Sequence, residues 1–209
     1  MDEKRFTGTI EVMGRAEAMA PPDEARVMLE IVTEAETAEE AVASNAETTQ
    51  AVIDAVMAEP NDGVTTTGLG VYPIYAYDPQ TNSSSIRGYR ARNGVQVVTD
   101  PDNAGRMFDV GIAAGANVGS GISFGLSDPE PLREQALRDA IAMAQREAEV
   151  VAEATGIELL GPEAIVVDPL AAPIPFRAEL AADAAVSPTM PGDVAIQVAV
   201  RLRYRTMIG

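Results

Sequence analysis

The stretch at residues 22–40, PDEARVMLEIVTEAETAEE, joins a strand pattern directly to a helix start. Apolar and polar side chains alternate along residues 25–34, a period typical of an antiparallel strand with one exposed face. The positions predicted to face the core are Ala25, Val27, Leu29, Ile31 and Thr33. Thr37 and Glu40 then form a capping box, whose hydroxyl and carboxylate satisfy free backbone N–H groups at a helix start. The stretch therefore predicts a strand followed by a helix.

Two predicted helices each have a definable packing side. The first runs from the capping box to about residue 58, and PNDG at residues 60–63 ends it. Its core-facing residues are predicted to be Val42, Val52, Ile53 and Val56. The longest helix begins after Asp128 and Pro129 and stops at Gly156. Its packing side is a flat stripe of alanines that allows close contact with a sheet: Ala136, Ala140, Ala144, Ala148 and Ala152.

Strands account for most of the remaining pattern. They are predicted at about residues 6–18, 64–77, 86–99, 117–125, 163–167 and 194–204, and a further helix begins at Asp100 and Pro101. The connections are a turn at residues 21–23, an exposed hairpin tip at 78–85 and a loop rich in proline and alanine at 168–193. The order strand, strand, helix, strand, strand, helix, strand, helix, strand, strand predicts an α+β fold with antiparallel sheets covered by helices. We expect a single domain over residues 1–209, or two intimately packed lobes of about 1–99 and 100–209.

The composition excludes several classes of active site. The 209 residues include no cysteine, no histidine and no tryptophan. The chain therefore has no imidazole to exchange protons near neutral pH, no thiolate nucleophile and no cysteine ligands for zinc. Apolar residues make up 46% of the chain, so a packed core is expected. The net charge of −17 predicts repulsion from nucleic acid and anionic lipid, and no run reaches the roughly 20 apolar residues of a membrane-spanning helix.

Arginines are concentrated on two predicted strands that lack acidic residues. One strand has Arg87, Arg90 and Arg92, and the last strand has Arg201, Arg203 and Arg205. The inward positions of the last strand are predicted to be Val194, Ile196, Val198, Val200, Leu202 and Tyr204. On so acidic a chain, outward arginines favour docking against the acidic helix faces of a second copy. The alternative is that they pair with acidic residues of the same subunit.

Three of the five tyrosines lie close together on one strand of the predicted hairpin. They are Tyr72, Tyr75 and Tyr77. Aromatic residues near an exposed tip often anchor a partner, because they bury a large area at a low cost in entropy. The alternative is that at least two of them pack in the core or across the strands.

Two short patterns resemble ligand sites and have structural explanations as well. Gly119 and Gly121 occur in a glycine-rich stretch, but they lie within a predicted strand and do not lead into a helix, which favours a bulge or close packing of a helix against the strand over a phosphate loop. Asp100 and Asp102 resemble the start of a calcium loop, but Gly111 occupies the twelfth position, where such a loop needs a glutamate. Helix capping explains Asp100 and Asp102 better than calcium binding does. No metal or cofactor site is therefore predicted.

A set of short motifs in fixed order along nearly the whole chain resembles the SIMPL-domain family. The motifs lie at residues 22–25, 32–35, 38–41, 71–73 with Tyr77, 88–91, 115–117, 122–124 and 154–156. This family of unknown function includes YggE-like oxidative-stress proteins and a periplasmic immunogenic envelope antigen. The resemblance implies an α+β protein that forms homo-oligomers, is usually exported, is linked to the envelope or to oxidative stress, and has no established enzyme activity or catalytic residues.

These observations favour a non-enzymatic protein whose main partner is a second copy of itself. The competing hypothesis is a protein or enzyme that uses carboxylates to bind a divalent metal or small ligand. Residues 1–6 do not have the apolar run of a secretory signal. The resemblance predicts periplasmic or extracellular placement. Because no such signal is visible at these residues, the chain itself leaves a cytoplasmic location open.

Overall fold

The computed structural model describes residues 6–80, 82–167, 176–178 and 191–208. The strands in this part of the chain are β1 (Phe6–Ala20), β2 (Glu24–Ala35), β3 (Gly63–Asp78), β4 (Ser83–Thr99), β5 (Val118–Gly125), β6 (Ile157–Val167), β7 (Phe176–Ala178) and β8 (Val194–Ile208). The helices are α1 (Ala38–Met57), α2 (Ala104–Ala113) and α3 (Glu130–Thr155), with a 3-10 turn at Pro101–Asn103 before α2. All strand pairs are antiparallel, which confirms the α+β class.

The order of elements matches the prediction apart from one short addition. The strand β7 falls inside the predicted loop at residues 168–193, and most of that loop lies outside the described residues. The strand β6 begins six residues earlier than predicted, at Ile157. Its pairing with β8 is interrupted between Leu159 and Ala164, where Gly161 has a φ of 99°. This irregularity breaks the alternation from which strands are predicted.

The chain divides into two compact units, each assembled from distant segments. The first unit is Met1–Pro21, Leu126–Pro175 and Asp193–Gly209, and the second is Pro22–Gly125 and Phe176–Gly192. The division does not follow the lobes expected at about residues 1–99 and 100–209, because residue 99 lies inside the second unit. The predicted turn at residues 21–23 is where the chain passes from one unit to the other.

The first unit is a three-stranded sheet in the order β1-β8-β6, with α3 packed against it. The alanine stripe of α3 is buried as predicted: Ala136, Ala140, Ala144, Ala148 and Ala152. The predicted inward residues of β8 are buried too: Val194, Ile196, Val198, Val200, Leu202 and Tyr204. Small side chains on α3 and on β1 bring the helix backbone close to the sheet. A Cβ atom at Gly14 would lie 1.9 Å from the carbonyl oxygen of Ala140.

The second unit is a five-stranded sheet in the order β3-β4-β2-β5-β7, with α1 and α2 on one face. Val52 and Val56 of α1 are buried as predicted, and Ile53 packs against the same core. Val42 is 36% exposed, so its predicted core position is wrong. The buried stripe at that end of α1 is formed instead by Ala41, Asn45 and Thr49. The sequence does not predict this stripe, because Asn45 and Thr49 are polar. Asn45 is nevertheless buried, since its side chain donates to the carbonyl oxygen of Ile31 (2.9 Å).

The helix starts use the caps that the sequence predicts. The N–H of Glu40 donates to Oγ1 of Thr37 (3.2 Å), and the Thr37 hydroxyl donates to the Glu40 carboxylate (3.0 Å). Oδ1 of Asp100 accepts from the N–H of Asp102 (2.9 Å), which confirms capping there. At the C-terminal end of α3, Gly156 has a φ of 69°, a left-handed conformation that glycine adopts without strain.

Candidate interaction surface

The outer part of the β3–β4 hairpin carries most of the residues predicted to make contacts. We call residues 69–78 of β3 and 83–92 of β4 the hairpin arm. The strand β2 pairs with β4 only as far as Tyr89, opposite Ala35. Beyond that point the arm is a ribbon of two strands, which have no other neighbour in the described sheet. Two strands alone cannot bury both of their faces.

The register of the arm separates the three tyrosines onto two faces. Opposite residues of an antiparallel pair point to the same side of the sheet. Tyr72 is opposite Arg90, and Tyr75 is opposite Ile86. Because side chains alternate along a strand, Tyr75 and Tyr77 lie on the side that carries the helices, and Tyr72 lies on the other side. We call that other side of the five-stranded sheet the open face.

Large apolar side chains on the helix side of the arm are exposed. Leu69 is 71% exposed, Tyr75 63% and Ile86 51%, and Val71 and Tyr77 belong to the same exposed row. The hydroxyl of Tyr77 donates to Oδ1 of Asn82 in the hairpin tip (2.6 Å). Tyr72, on the open face, is 57% exposed. None of the three is a core residue, so the core part of the alternative is wrong, whereas packing across the strands stays a prediction.

The arginines of the arm form ion pairs with β2 across the open face. Arg90 donates through Nε (2.9 Å) and Nη2 (2.6 Å) to Oε1 of Glu34. Arg92 donates to Glu30, and this hydrogen bond together with the charge of Glu30 raises the pKa of Arg92 above its ordinary value. Nη2 of Arg87 lies 3.9 Å from Oε2 of Glu34. The three arginines thus have partners within the same subunit, while each keeps about half of its side chain exposed.

A bulge in the arm explains how Arg87 and Arg90, which are three residues apart and would otherwise point to opposite faces, both reach Glu34. Ile74 is opposite Gly88 and Tyr75 is opposite Ile86, so Arg87 is an extra residue in β4. A bulge redirects the side chain of the extra residue. This places Arg87 beside Arg90 on the open face.

The arginines of β8 belong to the first unit and contact β1. Nε of Arg201 lies 3.5 Å from Oε1 of Glu11, and Nη2 of Arg203 lies 3.3 Å from Oε2 of the same residue. Arg205 has no ion-pair partner in the part of the chain that the structure describes. One acid therefore serves two arginines on this strand, as Glu34 does on the arm.

Several residues that organise the surface were not singled out from the sequence. The alternation of β2 puts Glu30 and Glu34 on its polar side. Which arginines pair with them depends on the register between β2 and β4, which the sequence alone does not give. Asn117 accepts from the N–H of Val32 (2.9 Å) and donates to its carbonyl oxygen (2.7 Å), so its amide extends the ladder between β5 and β2. No local pattern in the sequence marks this role.

The stretches that resemble ligand sites have structural roles. Met28 is opposite Gly121 and Leu29 is opposite Gly119, so Ser120 forms a bulge in β5, where Gly121 has a φ of 102°. This confirms the bulge interpretation of the glycines. The described residues contain no group of three or more acidic side chains placed to hold a metal ion. Among the described helices, none is long and apolar enough to cross a membrane.

Comparison with known proteins identifies a family and two relatives. A family model, SIMPL, described as a protein of unknown function (DUF541), matches residues 10–204. The relatives are the 26 kDa periplasmic immunogenic proteins of Brucella melitensis and Brucella abortus, each 31% identical over 157 residues. The match covers 72% of this chain and 62% of each relative. The chain thus spans less than two thirds of the length of these relatives.

Proposed function

Because the chain belongs to the SIMPL family, whose function is unknown, we propose that it is a non-enzymatic, self-assembling protein that uses the hairpin arm as its main contact surface. The observation that carries the proposal is the row of exposed apolar side chains on the arm. Contiguous exposed apolar surface commonly marks an interaction site. A second copy that covered Leu69, Tyr75 and Ile86 would remove these side chains from water.

The shape of the arm supports a partner on its helix side. A two-stranded ribbon has little stability of its own in water, because neither face is covered. Burying apolar area contributes roughly 25 cal/mol per Å², so covering several large side chains would stabilise the arm and the assembly together. Aromatic side chains such as Tyr75 add contact area at a low cost in entropy.

Charge on the open face of the arm supports a second copy as a partner on that side as well. Arg87, Arg90 and Arg92 share two acids of β2, so the open face of the arm has one arginine in excess. The exposed side of α1 carries acidic residues and the helix has no basic one. If α1 of another copy lay against the open face, on the side opposite to the apolar row, it would bring opposite charges together on a chain whose net charge is −17.

We further propose that the protein acts outside the cytoplasm, in association with the cell envelope and with resistance to oxidative stress. The support is that the two relatives are named periplasmic immunogenic proteins, together with the resemblance described above. The chain offers no thiol as an oxidisable group, because it has no cysteine. Its nine methionines are the remaining oxidisable sulfur.

The test of self-assembly is the mass of the protein in solution. Light scattering and sedimentation over a wide range of concentrations should give a mass above that of one chain. A variant with Leu69→Ser and Tyr75→Ser should shift toward the monomer, because it removes apolar area from the arm without touching the core.

Met19→Ser is the matched control, since Met19 is 60% exposed in β1 and lies outside both the arm and α1. It should leave the mass unchanged. A wild-type protein that is monomeric at every concentration would rule out self-assembly, and an arm variant that keeps the wild-type mass would rule out the arm as the contact.

A further inference from the structure

The side of α3 that faces away from its sheet has apolar residues in a regular array. Met143 is 51% exposed and Val150 is 59% exposed. They are seven residues apart, which is two turns of a helix, so they lie on the same side. Together with Ala142 they form a shallow apolar groove along the helix surface. We call this side the outer face of α3.

Three charged residues line this groove, Asp139, Arg146 and Glu147, and the first two are opposite in sign. Asp139 and Arg146 are also seven residues apart, both are exposed, and both line the groove. Neither forms an ion pair in the part of the chain that the structure describes. Elsewhere on α3 the arginines do pair, as with Arg138 and Glu134 (3.3 Å).

The arrangement of these charges is complementary to itself. The midpoint between Asp139 and Arg146 falls between Ala142 and Met143. A second α3, antiparallel and related by a two-fold axis at this midpoint, would place each Asp139 opposite an Arg146. A parallel helix would instead oppose like charges. At the axis, Ala142 and Met143 would each lie beside their own copies, and the small Ala142 would allow the helices to approach closely.

We propose that the outer face of α3 is a two-fold contact between two copies of this chain, with their α3 helices antiparallel. The contact rests on the proposed self-assembly and adds to it a second surface, in the first unit. Two chains with a net charge of −17 repel each other. A stable contact between them therefore needs local pairs of opposite charge, and the outer face supplies two reciprocal pairs around an apolar centre.

Introduced cysteines test the geometry directly, because the natural chain has none and every disulfide must come from the new residue. Ala142→Cys places two thiols next to the proposed axis. There the Cα atoms of the two copies can come to the separation of roughly 4.4–6.8 Å that a disulfide requires. Gln135→Cys is the matched control, exposed on the same side of the same helix. Its two copies would lie about 22 Å apart along the helix axes.

With diamide as the oxidant, Ala142→Cys should form covalent dimers at least tenfold faster than Gln135→Cys. Alkylation rates of both variants show whether the two thiols are equally accessible. Equal and slow disulfide formation by two equally accessible thiols would overturn the contact.

Charge reversal tests the proposed pairs. Arg146→Glu should weaken dimer formation by about tenfold, because it replaces two attractions with two repulsions. Adding Asp139→Arg to Arg146→Glu restores opposite charges and should recover most of the loss. A double variant as weak as the single one would overturn the pairing of these residues.

The two proposals can fail separately. If the arm variant dissociates the assembly and Ala142→Cys does not form dimers, the arm contact stands and the α3 contact is wrong. If Ala142→Cys forms dimers while the arm variant keeps its mass, the α3 contact stands and the arm is not a contact surface.

Discussion

Gly14 sets how closely β1 approaches α3. The nearest atoms to a Cβ atom at this position would be backbone atoms of Ala140 and Ala144, which cannot move without shifting the helix. Gly88 is similar in the second unit, where a Cβ atom would lie 2.7 Å from the carbonyl oxygen of Ala35. Single residues thus determine how closely neighbouring backbones pack.

Gly14→Ala should destabilise the protein. Its Cβ atom would lie 1.9 Å from the oxygen of Ala140, so either the strand or the helix must move. Overpacking of this kind costs about 1–3 kcal/mol or more. The measurement is the free energy of unfolding in urea.

Gly8→Ala is the control in the same strand, since its Cβ atom would make only an ordinary contact, 3.6 Å from Oγ1 of Thr206. It should change stability by less than about 0.5 kcal/mol. Equal losses in the two variants would contradict the close approach at Gly14.

Tyr204 should make stability fall at high pH. Its burial, and secondarily the charge of Glu149, raise the pKa of its hydroxyl above the ordinary value. The unfolded chain therefore loses this proton first, so the contribution is complete below about pH 10 and is lost as the pH rises through the raised pKa. Tyr204→Phe should show a smaller drop in the urea midpoint between pH 8 and pH 11 than the wild type.

The control for this measurement is the same pair of proteins compared at pH 7, where a difference in the urea midpoint reports loss of the Tyr204 hydroxyl and not its ionisation. A Tyr204→Phe variant with the same alkaline loss as the wild type would contradict the assignment.

At the scale of elements, local chemistry predicted where most helices and strands begin. The capping box of α1, the alanine stripe of α3 and the alternation of β8 each act within one element, so the residues needed to recognise them are close in sequence. The errors have equally local causes. Val42 was predicted as a core residue because it is apolar, yet the buried stripe of α1 passes through the polar Asn45 and Thr49.

Removal of the cap should weaken α1 measurably. Thr37→Ala deletes the oxygen that accepts from the N–H of Glu40, and loss of such a cap costs typically about 1 kcal/mol. Thr37→Ser keeps the acceptor and should remain close to the wild type in urea unfolding. If the alanine and serine variants are equally stable, the cap contributes nothing.

At the scale of the whole molecule, charge is arranged by strand pairing. Arg90 of β4 lies opposite Glu34 of β2 and Arg203 of β8 lies opposite Glu11 of β1, and each of these acids also lies close to a second arginine of the same strand. The interface role predicted for these arginines stays a prediction. Most of these arginines already lie close to an acid of the same subunit. An acidic partner must therefore either displace that acid or bind the arginine together with it.

The sequence by itself determined the α+β class, the main elements and the chemistry that the chain lacks, since alternation, caps and missing residue types are local or additive properties. The tertiary structure decided which strands become neighbours. The strands β1 and β2 are consecutive, yet β1 pairs with β8 and β2 pairs with β4 and β5. Alternation tells which side of a strand is buried but not which strand lies beside it. The exposed row of the hairpin arm and the bulge at Arg87 depend on that register, so only the folded chain reveals them.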